Sequence, residues 1–521
     1  MTPEEWIAHD PDPAAAAELS ACSPDELTAR FTGSLTFGTA GLRGPMRAGP
    51  SGMNVAVVLR ATWALAQVLT ARRLGGSAVV VGYDARHGSA AFALAAAEVL
   101  AAEGFSVTLF DRPVPTPVLA FTVRHVGAAA GVQITASHNP AGDNGYKVYL
   151  DGGMQIVAPT DAEIEAAIAA APHADQIARV AVVPRDGEHV VGQYLARAAA
   201  VRRGSGGVRV ALTPLHGVGG ATAVAALQRA GIADIHTVAN QFAPDPDFPT
   251  VVFPNPEEPG AVDALLELAG RVDADIAVAL DPDADRCAIG IGVDGSWRML
   301  SGDETGWLLG DYILAHATLP ATVASTVVSS RMLAAIARGY GARHVETLTG
   351  FKWLVRADGD DLVYAYEEAI GHCVDPAAVR DKDGISAAVL CCDLAATTKA
   401  AGRTIPDLLD DLARRHGVHT TAAITTHTDD SAAVMARLRT DPPSTLAGRE
   451  VTASEHAGVL IFSGEWIRLA VRPSGTEPKT KGYIEVRRPP TDDLVTARRE
   501  AERYCQLVRD DAIALLQRGP N

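Results

Sequence analysis

Residues 79–110, VVVGYDARHGSAAFALAAAEVLAAEGFSVTLF, carry the pattern that points to the fold. A β-branched run enters a turn at Gly82-Tyr83-Asp84. An Ala/Leu-rich helical stretch follows around Ala91–Ala102, then Gly104, then a second short strand, FSVTLF. The glycine suits the position just past a helix, where a left-handed backbone is required. The same succession recurs twice. VRVALTPLHG (208–217) leads through ATAVAALQRA to Gly231 and IADIHTV, and STVVSS (325–330) leads through MLAAIAR to Gly341 and ARHVETL. Strands alternating with helices imply parallel sheets covered on both faces. The three helices differ in length and the segments share no strict motif. Three α/β units of one general type and three βαβ units unrelated by duplication are both consistent with the pattern.

The last hundred residues read differently. TTAAITTHT, GVLIFSGEWIRLAVRPS and YIEVRR have strand composition, and a closing helix is expected from about Thr491 to Leu516. Residues 441–448, DPPSTLAG, read as a loop. The fold class is therefore α/β, with three similar mixed α/β domains and a smaller C-terminal α+β domain. Boundaries are expected at RRGSGG (202–207), near 319–321 and near 416–420. They give domains over 1–205, 206–319, 320–418 and 419–521.

A length of 521 residues predicts three or four domains. Lys and Arg total 45 against 62 Asp and Glu, a formal charge of −17. A chain this acidic repels phosphate backbones, so no nucleic-acid partner is expected. An anionic small substrate requires a local concentration of Arg and Lys. The start, MTPEEWIAHDPDPAAAAEL, has no basic or apolar leader character, and the most apolar stretch is interrupted by Glu98 and Glu103. No membrane segment is expected. Six cysteines without a C-x-x-C pair give neither a disulfide framework nor a zinc site, so a cytoplasmic location is expected.

Four segments carry chemistry. The first is Thr135-Ala136-Ser137-His138-Asn139-Pro140, between the apolar run GAAAGVQI and the polar loop AGDNGYK. Ser137 is thus expected at a strand exit, presented to solvent. A bare serine needs activation by a base, a metal or prior modification. No G-x-S-x-G elbow is present, so a hydrolase triad is not indicated. A simple turn is the other reading, since Ser, Asn and Pro all favour turns.

The second is Asp281-Pro282-Asp283-Ala284-Asp285-Arg286, directly after ADIAVAL. Three alternate carboxylates converge on one cation if the backbone curls around it, and oxygen-only ligation suits Mg²⁺ or Ca²⁺. An EF-hand needs Gly and Glu where this chain has Arg286 and Gly292. A solvated acidic turn is the alternative, but its carboxylates would repel one another unless a cation or Arg286 neutralised them.

The third is Arg472-Pro473-Ser474-Gly475-Thr476-Glu477-Pro478-Lys479. Successive N–H groups of a tight turn can face an anion there, with Arg472 gripping a phosphate and Lys479 adding charge. An ordinary Pro/Gly loop reads the same way. The fourth is Glu367-Glu368-Ala369-Ile370-Gly371-His372, followed by Asp381-Lys382-Asp383-Gly384. Its carboxylates can accept from sugar hydroxyls, and Lys382 can act as an acid/base or a phosphate contact, although surface charge is also consistent.

These segments, in this order, resemble the α-D-phosphohexomutase superfamily, which includes phosphoglucomutases and phosphomannomutases. The resemblance runs from Phe37-Gly38-Thr39-Ala40-Gly41-Leu42-Arg43-Gly44 to the Arg472 loop. It implies three α/β domains and a smaller fourth around a central cleft. It implies a mutase interconverting hexose 1-phosphate and hexose 6-phosphate, glucose or mannose, through a bisphosphorylated intermediate. Ser137 resembles the serine that carries the phosphoryl group as phosphoserine. Asp281, Asp283 and Asp285 resemble the Mg²⁺ ligands, with Ser137 completing the set. Arg286 would hold the transferring phosphoryl, His138 and Lys147 would assist proton transfer and charge balance, and Arg43 would reach the same centre. Glu367 resembles the sugar-hydroxyl acceptor. Thr349 and Gly350 match the loop that distinguishes the two orientations of the sugar. Ser474, Gly475 and Thr476, with Arg472, resemble the pocket for the non-reacting phosphate. A sugar bisphosphate is the implied activator, sugar phosphates are the implied partners, and a monomer or homodimer is the implied state. One departure stands out: many members have serine where this chain has Ala369, which removes one contact to the sugar. The form E-E-A-I-G resembles the branch of phosphopentomutase-like and bisphosphate-forming members. A phosphopentomutase, a sugar-bisphosphate synthase or a non-catalytic sugar-phosphate sensor is the alternative.

Overall fold

The computed structural model describes residues 1–37, 41–150, 152–357, 359, 361–427, 430–473 and 479–517. Its first sheet is built around the buried strand Ala78–Tyr83, flanked in parallel by Ser106–Leu109 on one side and Ala130–Ile134 on the other. Asp143–Leu150 and Leu42–Pro45 extend it antiparallel. The second sheet repeats that plan. Arg209–Thr213 lies parallel to Asp234–Thr237 and Ile276–Leu280, and Cys287–Val293 and Ser296–Met299 add antiparallel strands. The third has Thr322–Thr326 parallel to both Arg343–Thr347 and Leu362–Glu367. Order and direction thus recur three times. Gly104, Gly231 and Gly341, which follow the helices Ser89–Ala102, Gly219–Arg229 and Met332–Tyr340, all have positive φ. A side chain with a Cβ is disfavoured at that position.

The strand expected in STVVSS begins earlier and ends at Thr326. Residues beyond it turn because the Thr326 hydroxyl accepts from the Ser329 N–H, a local bond that competes with the ladder. The last sheet is antiparallel throughout, in the order Val418–His427, Lys479–Arg488, Ile467–Pro473, Val459–Ser463, Thr452–His456. The closing helix spans Leu494–Gln517, and its buried positions Leu494, Ala497, Ala501, Cys505, Val508, Ala512 and Leu516 form one stripe against that sheet's core. Within 441–448, Thr445–Leu446 pairs with Arg449–Glu450 as a short hairpin rather than a featureless loop. Among the described residues no single helix is long and apolar enough to cross a membrane.

The chain divides into two compact units: Met1–Leu300 with Gly371–Ala401, and Ser301–Ile370 with Gly402–Asn521. The segment Gly371–Ala401 joins the first unit through buried polar bonds. The Tyr149 hydroxyl donates to Asp381, the Tyr194 hydroxyl donates to Asp383, and Gly371 bridges Arg286. The stretch 202–207 is tied down in the same unit, because the Arg203 and Gly204 N–H groups donate to the Asp393 carboxylate.

In the second unit, Asp303 is buried at the start of the helix Gly302–Leu314, accepting from the Ser330 N–H at 2.8 Å and the Tyr366 hydroxyl at 2.9 Å. Burial, opposed by those donors and reinforced by Glu368, pushes its carboxyl up from 3.8 to about 7. The folded chain therefore holds this proton more tightly than the unfolded one. The stability it contributes is complete below pH 3.8 and is lost as pH rises through about 7. Asp303→Asn should flatten the dependence of the denaturant midpoint on pH across that window. An unchanged slope in the variant would remove Asp303 from the account.

Candidate active site

Ser137 follows the fully buried strand Ala130–Ile134 and has a left-handed backbone, φ +52°. Its N–H donates to the Thr135 hydroxyl at 2.9 Å, and the Asn139 N–H donates to the Ala136 carbonyl at 3.1 Å, which closes the turn. The expectation of solvent presentation is corrected: Ser137 is only 2% exposed. The Asp281 loop covers it, and Ser137 Oγ donates to Asp281 Oδ2 at 2.8 Å.

That second loop leaves the buried strand Ile276–Leu280 and curls at Ala284, φ +56°. Three elements pin its backbone. The Val218 N–H donates to the Pro282 carbonyl, the Thr116 N–H to the Asp283 carbonyl, and the Gly384 N–H to the Ala284 carbonyl. Two of these approaches need glycine. A Cβ at Gly217 would lie 2.3 Å from Pro282 Cα, and one at Gly384 would lie 2.3 Å from the Arg286 carbonyl oxygen. The result is that Asp281, Asp283 and Asp285, all wholly buried, each present an oxygen within 4.8 Å of the others'.

Such a cluster is costly unless compensated. Lys147, on the strand Asp143–Leu150, places Nζ 2.7 Å from Asp283 Oδ2 and 2.9 Å from Asp285 Oδ2. Lys382 Nζ lies 3.3 Å from Asp285 Oδ2 and 3.2 Å from Asp381 Oδ1. Asp381 is in turn fixed by Tyr149 and Gln155. The Thr116 hydroxyl donates to Asp283 Oδ2 at 2.5 Å. Burial raises the Asp283 carboxyl, but Lys147 with the hydrogen bonds from Asp281 and Thr116 lowers it overall; burial and then Asp283 raise the Asp285 carboxyl, but Lys147, Lys382 and Arg286 together lower it. Asp281 goes the other way: burial, then Asp283 and Asp285, push its carboxyl well up. Burial would also lower the Lys147 ammonium, yet Asp283 and Asp285 raise it overall. Arg286 cannot neutralise the trio alone. Its Nε lies 3.8 Å from Asp285 Oδ1, and the closer compensation is lysine.

A divalent cation fits this donor set. Asp283 Oδ1 and Asp285 Oδ1 are buried with no hydrogen-bond donor, and only hard oxygen ligands are offered.

The remaining predicted residues of the first unit gather around the same point. His138 Nδ1 lies 3.3 Å from Ser137 Oγ, and burial, with Arg286 and Arg43 nearby, lowers its imidazole well below 6.5. Arg43, on the strand Leu42–Pro45, donates to Asn139 Oδ1 at 3.0 Å. The cluster therefore sets Arg43, Lys147, Arg286 and Lys382 against four acidic side chains, the trio and Asp381. It gathers the Arg and Lys side chains that an acidic chain needs near an anion.

The other predicted residues belong to the second unit. Glu367 ends the strand Leu362–Glu367 and is 9% exposed, and Ala369 follows it. Glu368 points elsewhere, accepting from the Thr326 and Ser329 hydroxyls at 2.9 Å each. Thr349 and Gly350, φ +108°, precede the short helix Phe351–Leu354. Arg472 donates to the Tyr483 hydroxyl at 2.9 Å with its guanidinium over that ring. Lys479 opens the strand Lys479–Arg488, which pairs with Ile467–Pro473. Ser474, Gly475 and Thr476 lie outside the described residues.

Sequence reasoning did not single out Thr116, Tyr149 or Arg86, and read Asn139 only as a turn residue of its segment. Arg86 was signalled only by Asp84-Ala85-Arg86 directly after a buried strand.

Comparison with known proteins places the chain. Residues 34–175, 192–293 and 301–416 match the models of phosphoglucomutase/phosphomannomutase alpha/beta/alpha domains I, II and III, respectively. A probable phosphomannomutase of Haemophilus influenzae is 39% identical over 84% of this chain and 93% of its own length. A probable phosphoribomutase of Schizosaccharomyces pombe is 33% identical over 94% of each. The crystal structure of a putative phosphomannomutase from Thermus thermophilus superposes with TM-score 0.70 at 25% identity, covering 92% of this chain and 99% of the other.

Proposed function

The chain belongs to the phosphoglucomutase/phosphomannomutase family, and from that premise we propose that it interconverts the 1-phosphate and 6-phosphate of a hexose, glucose or mannose, through phosphorylated Ser137. As a member it is a phosphosugar mutase, an intramolecular phosphotransferase. The observation that carries the finer reading is the 2.8 Å bond between Ser137 Oγ and Asp281, beside a buried carboxylate trio and four cationic side chains.

Asp281, Asp283 and Asp285 would hold Mg²⁺, which supplies charge neutralisation at the phosphoryl group when bound. The rest is performed by side chains. The P–Oγ bond of phosphorylated Ser137 breaks as the free hydroxyl of the sugar phosphate takes the phosphoryl group, giving a bisphosphate. After the sugar turns round, Ser137 Oγ takes the other phosphoryl, and the monophosphate isomer is left. Arg286 and Arg43 bind the phosphoryl oxygens, where positioning and charge matter more than covalent chemistry. His138, adjacent to Oγ, accepts the hydroxyl proton, and Lys147 keeps Asp283 and Asp285 ionised and in place. Glu367 would accept from sugar hydroxyls, with Thr349 and Gly350 sorting the two orientations. Arg472 and Lys479, with Ser474, Gly475 and Thr476, would bind the phosphate that is not reacting, and this remote binding orients the reacting end. A sugar bisphosphate would restore the phosphorylated enzyme. The setting is expected to be the cytoplasm.

A second reading has a specific observation behind it. Ala369 lacks the hydroxyl that a hexose-selective loop would offer, and the similar S. pombe protein is named a phosphoribomutase. Side-by-side kinetics on glucose 1-phosphate, mannose 1-phosphate and ribose 1-phosphate decide between them. A kcat/KM for either hexose at least about tenfold above ribose, about 1.4 kcal/mol of discrimination, is expected. The reverse order assigns the chain to pentose phosphates. Inorganic phosphate released in place of isomer would overturn both.

A further inference from the structure

We propose that Arg86 is a positioning residue for the nucleophile, its buried guanidinium gathering the carbonyls of the turn that carries Ser137. The proposal rests on the reading of Ser137 as the phosphoryl carrier. Arg86 follows the strand Ala78–Tyr83 and is 4% exposed. Nη2 donates to the carbonyls of Ser137 at 2.6 Å and Asn139 at 2.5 Å, and Nη1 to those of Pro140 at 2.7 Å and Asp143 at 3.2 Å. One side chain thus satisfies four carbonyls of a seven-residue stretch that is neither helix nor sheet for most of its length. Without it, the buried Ser137 carbonyl would lose this donor, and the Pro140 carbonyl would be left with the Asp143 N–H at 3.1 Å.

The guanidinium is itself held on two further sides. Asp84 Oδ2 lies 3.4 Å from Nε, and Asp84 is anchored by the Arg86 N–H and the Ser89 hydroxyl. The Phe248 ring lies beneath, 4.9 Å from the guanidinium carbon. Arg86 makes no bond to the Ser137 side chain; it acts through the backbone, keeping the left-handed turn that aims Oγ at Asp281. Lysine cannot do this. Its ammonium is a single point with three donors, whereas the planar fork reaches two pairs of carbonyls at once.

The test is Arg86→Lys, assayed on glucose 1-phosphate with Mg²⁺ and glucose 1,6-bisphosphate. A nucleophile displaced by a fraction of an ångström should lower kcat about 10- to 100-fold while KM stays within about twofold. Phosphorylation of Ser137 by the bisphosphate, followed by mass spectrometry, should slow in parallel. Amide exchange in residues 136–144 should quicken without a general increase elsewhere. An unchanged kcat, or a loss confined to KM, overturns the proposal. So does a loss of rate that only matches the fraction unfolded. Phe248→Leu is the second variant, and it decides if Arg86→Lys does not fold. It should lower kcat about two- to fivefold at constant KM, and an unchanged kcat overturns the proposal. The wild type separates the two levels. If it neither isomerises sugar phosphates nor takes phosphate on Ser137, the nucleophile reading fails and this inference with it. If it does both and the two variants match it, only the role of Arg86 fails.

Discussion

Ser137→Ala is expected to abolish isomerisation, with a loss of about four orders of magnitude or more, while the protein stays folded. The oxygen removed is the one proposed to carry the phosphoryl group between the two halves of the reaction, and among the described residues the other hydroxyl bonded to the trio, that of Thr116, is already committed to Asp283. The structural cost is modest. Asp281 loses one donor but keeps the Arg286 N–H at 3.0 Å, so the thermal midpoint should fall by only a few degrees. Intact protein should also lose the mass of one phosphoryl group after incubation with a sugar bisphosphate. Near wild-type turnover in the alanine variant would refute the assignment of the nucleophile.

Asp283→Ala should lose about a thousandfold in rate together with its response to Mg²⁺. An ion-bound phosphoryl site supplies several kcal/mol of charge stabilisation, and about 4 kcal/mol corresponds to that factor. Asp283 is also a partner of Lys147 and Thr116, so alanine leaves a buried ammonium that only Asp285 balances. Part of the damage is then to folding. Asp283→Asn separates the effects, because it keeps the shape and the acceptor for Thr116 while removing the charge. Titrating Mg²⁺ into chelator-treated wild type and both variants gives the measurement. If Asp283→Asn keeps the wild-type rate and the same half-saturating Mg²⁺, the trio is not the metal centre.

The sequence and the structure inform different parts of this picture. The repeated βαβ pattern around 79–110 was readable because period, glycine caps and buried strands are local properties. The third repeat was displaced toward the C-terminus because Val327 and Val328 look strand-like, while the Thr326 hydroxyl's bond to the Ser329 N–H turns the chain. Both short motifs at the centre were also readable, since each holds its chemistry within six consecutive residues. The solvent exposure expected of Ser137 was not, because the loop that covers it lies 144 positions away.

What a local pattern cannot contain is the company those motifs keep. Lys147 reaches the carboxylates because the register Gln133↔Lys147 sets it beside the strand that delivers Ser137. Arg43 arrives through the pairing Arg43↔Gly145. Thr116, at the start of the helix Thr116–His125, and Arg86, after the strand Ala78–Tyr83, carry no motif of their own, and the place of Asp381 beside Lys382 is fixed by Tyr149 and Gln155. Whether an acid is neutralised depends on every charge within a few ångströms in a medium of low dielectric, wherever those charges stand in the chain. Identity and reaction class are thus written in contiguous residues, whereas charge balance and the aim of the nucleophile exist only once distant strands have packed.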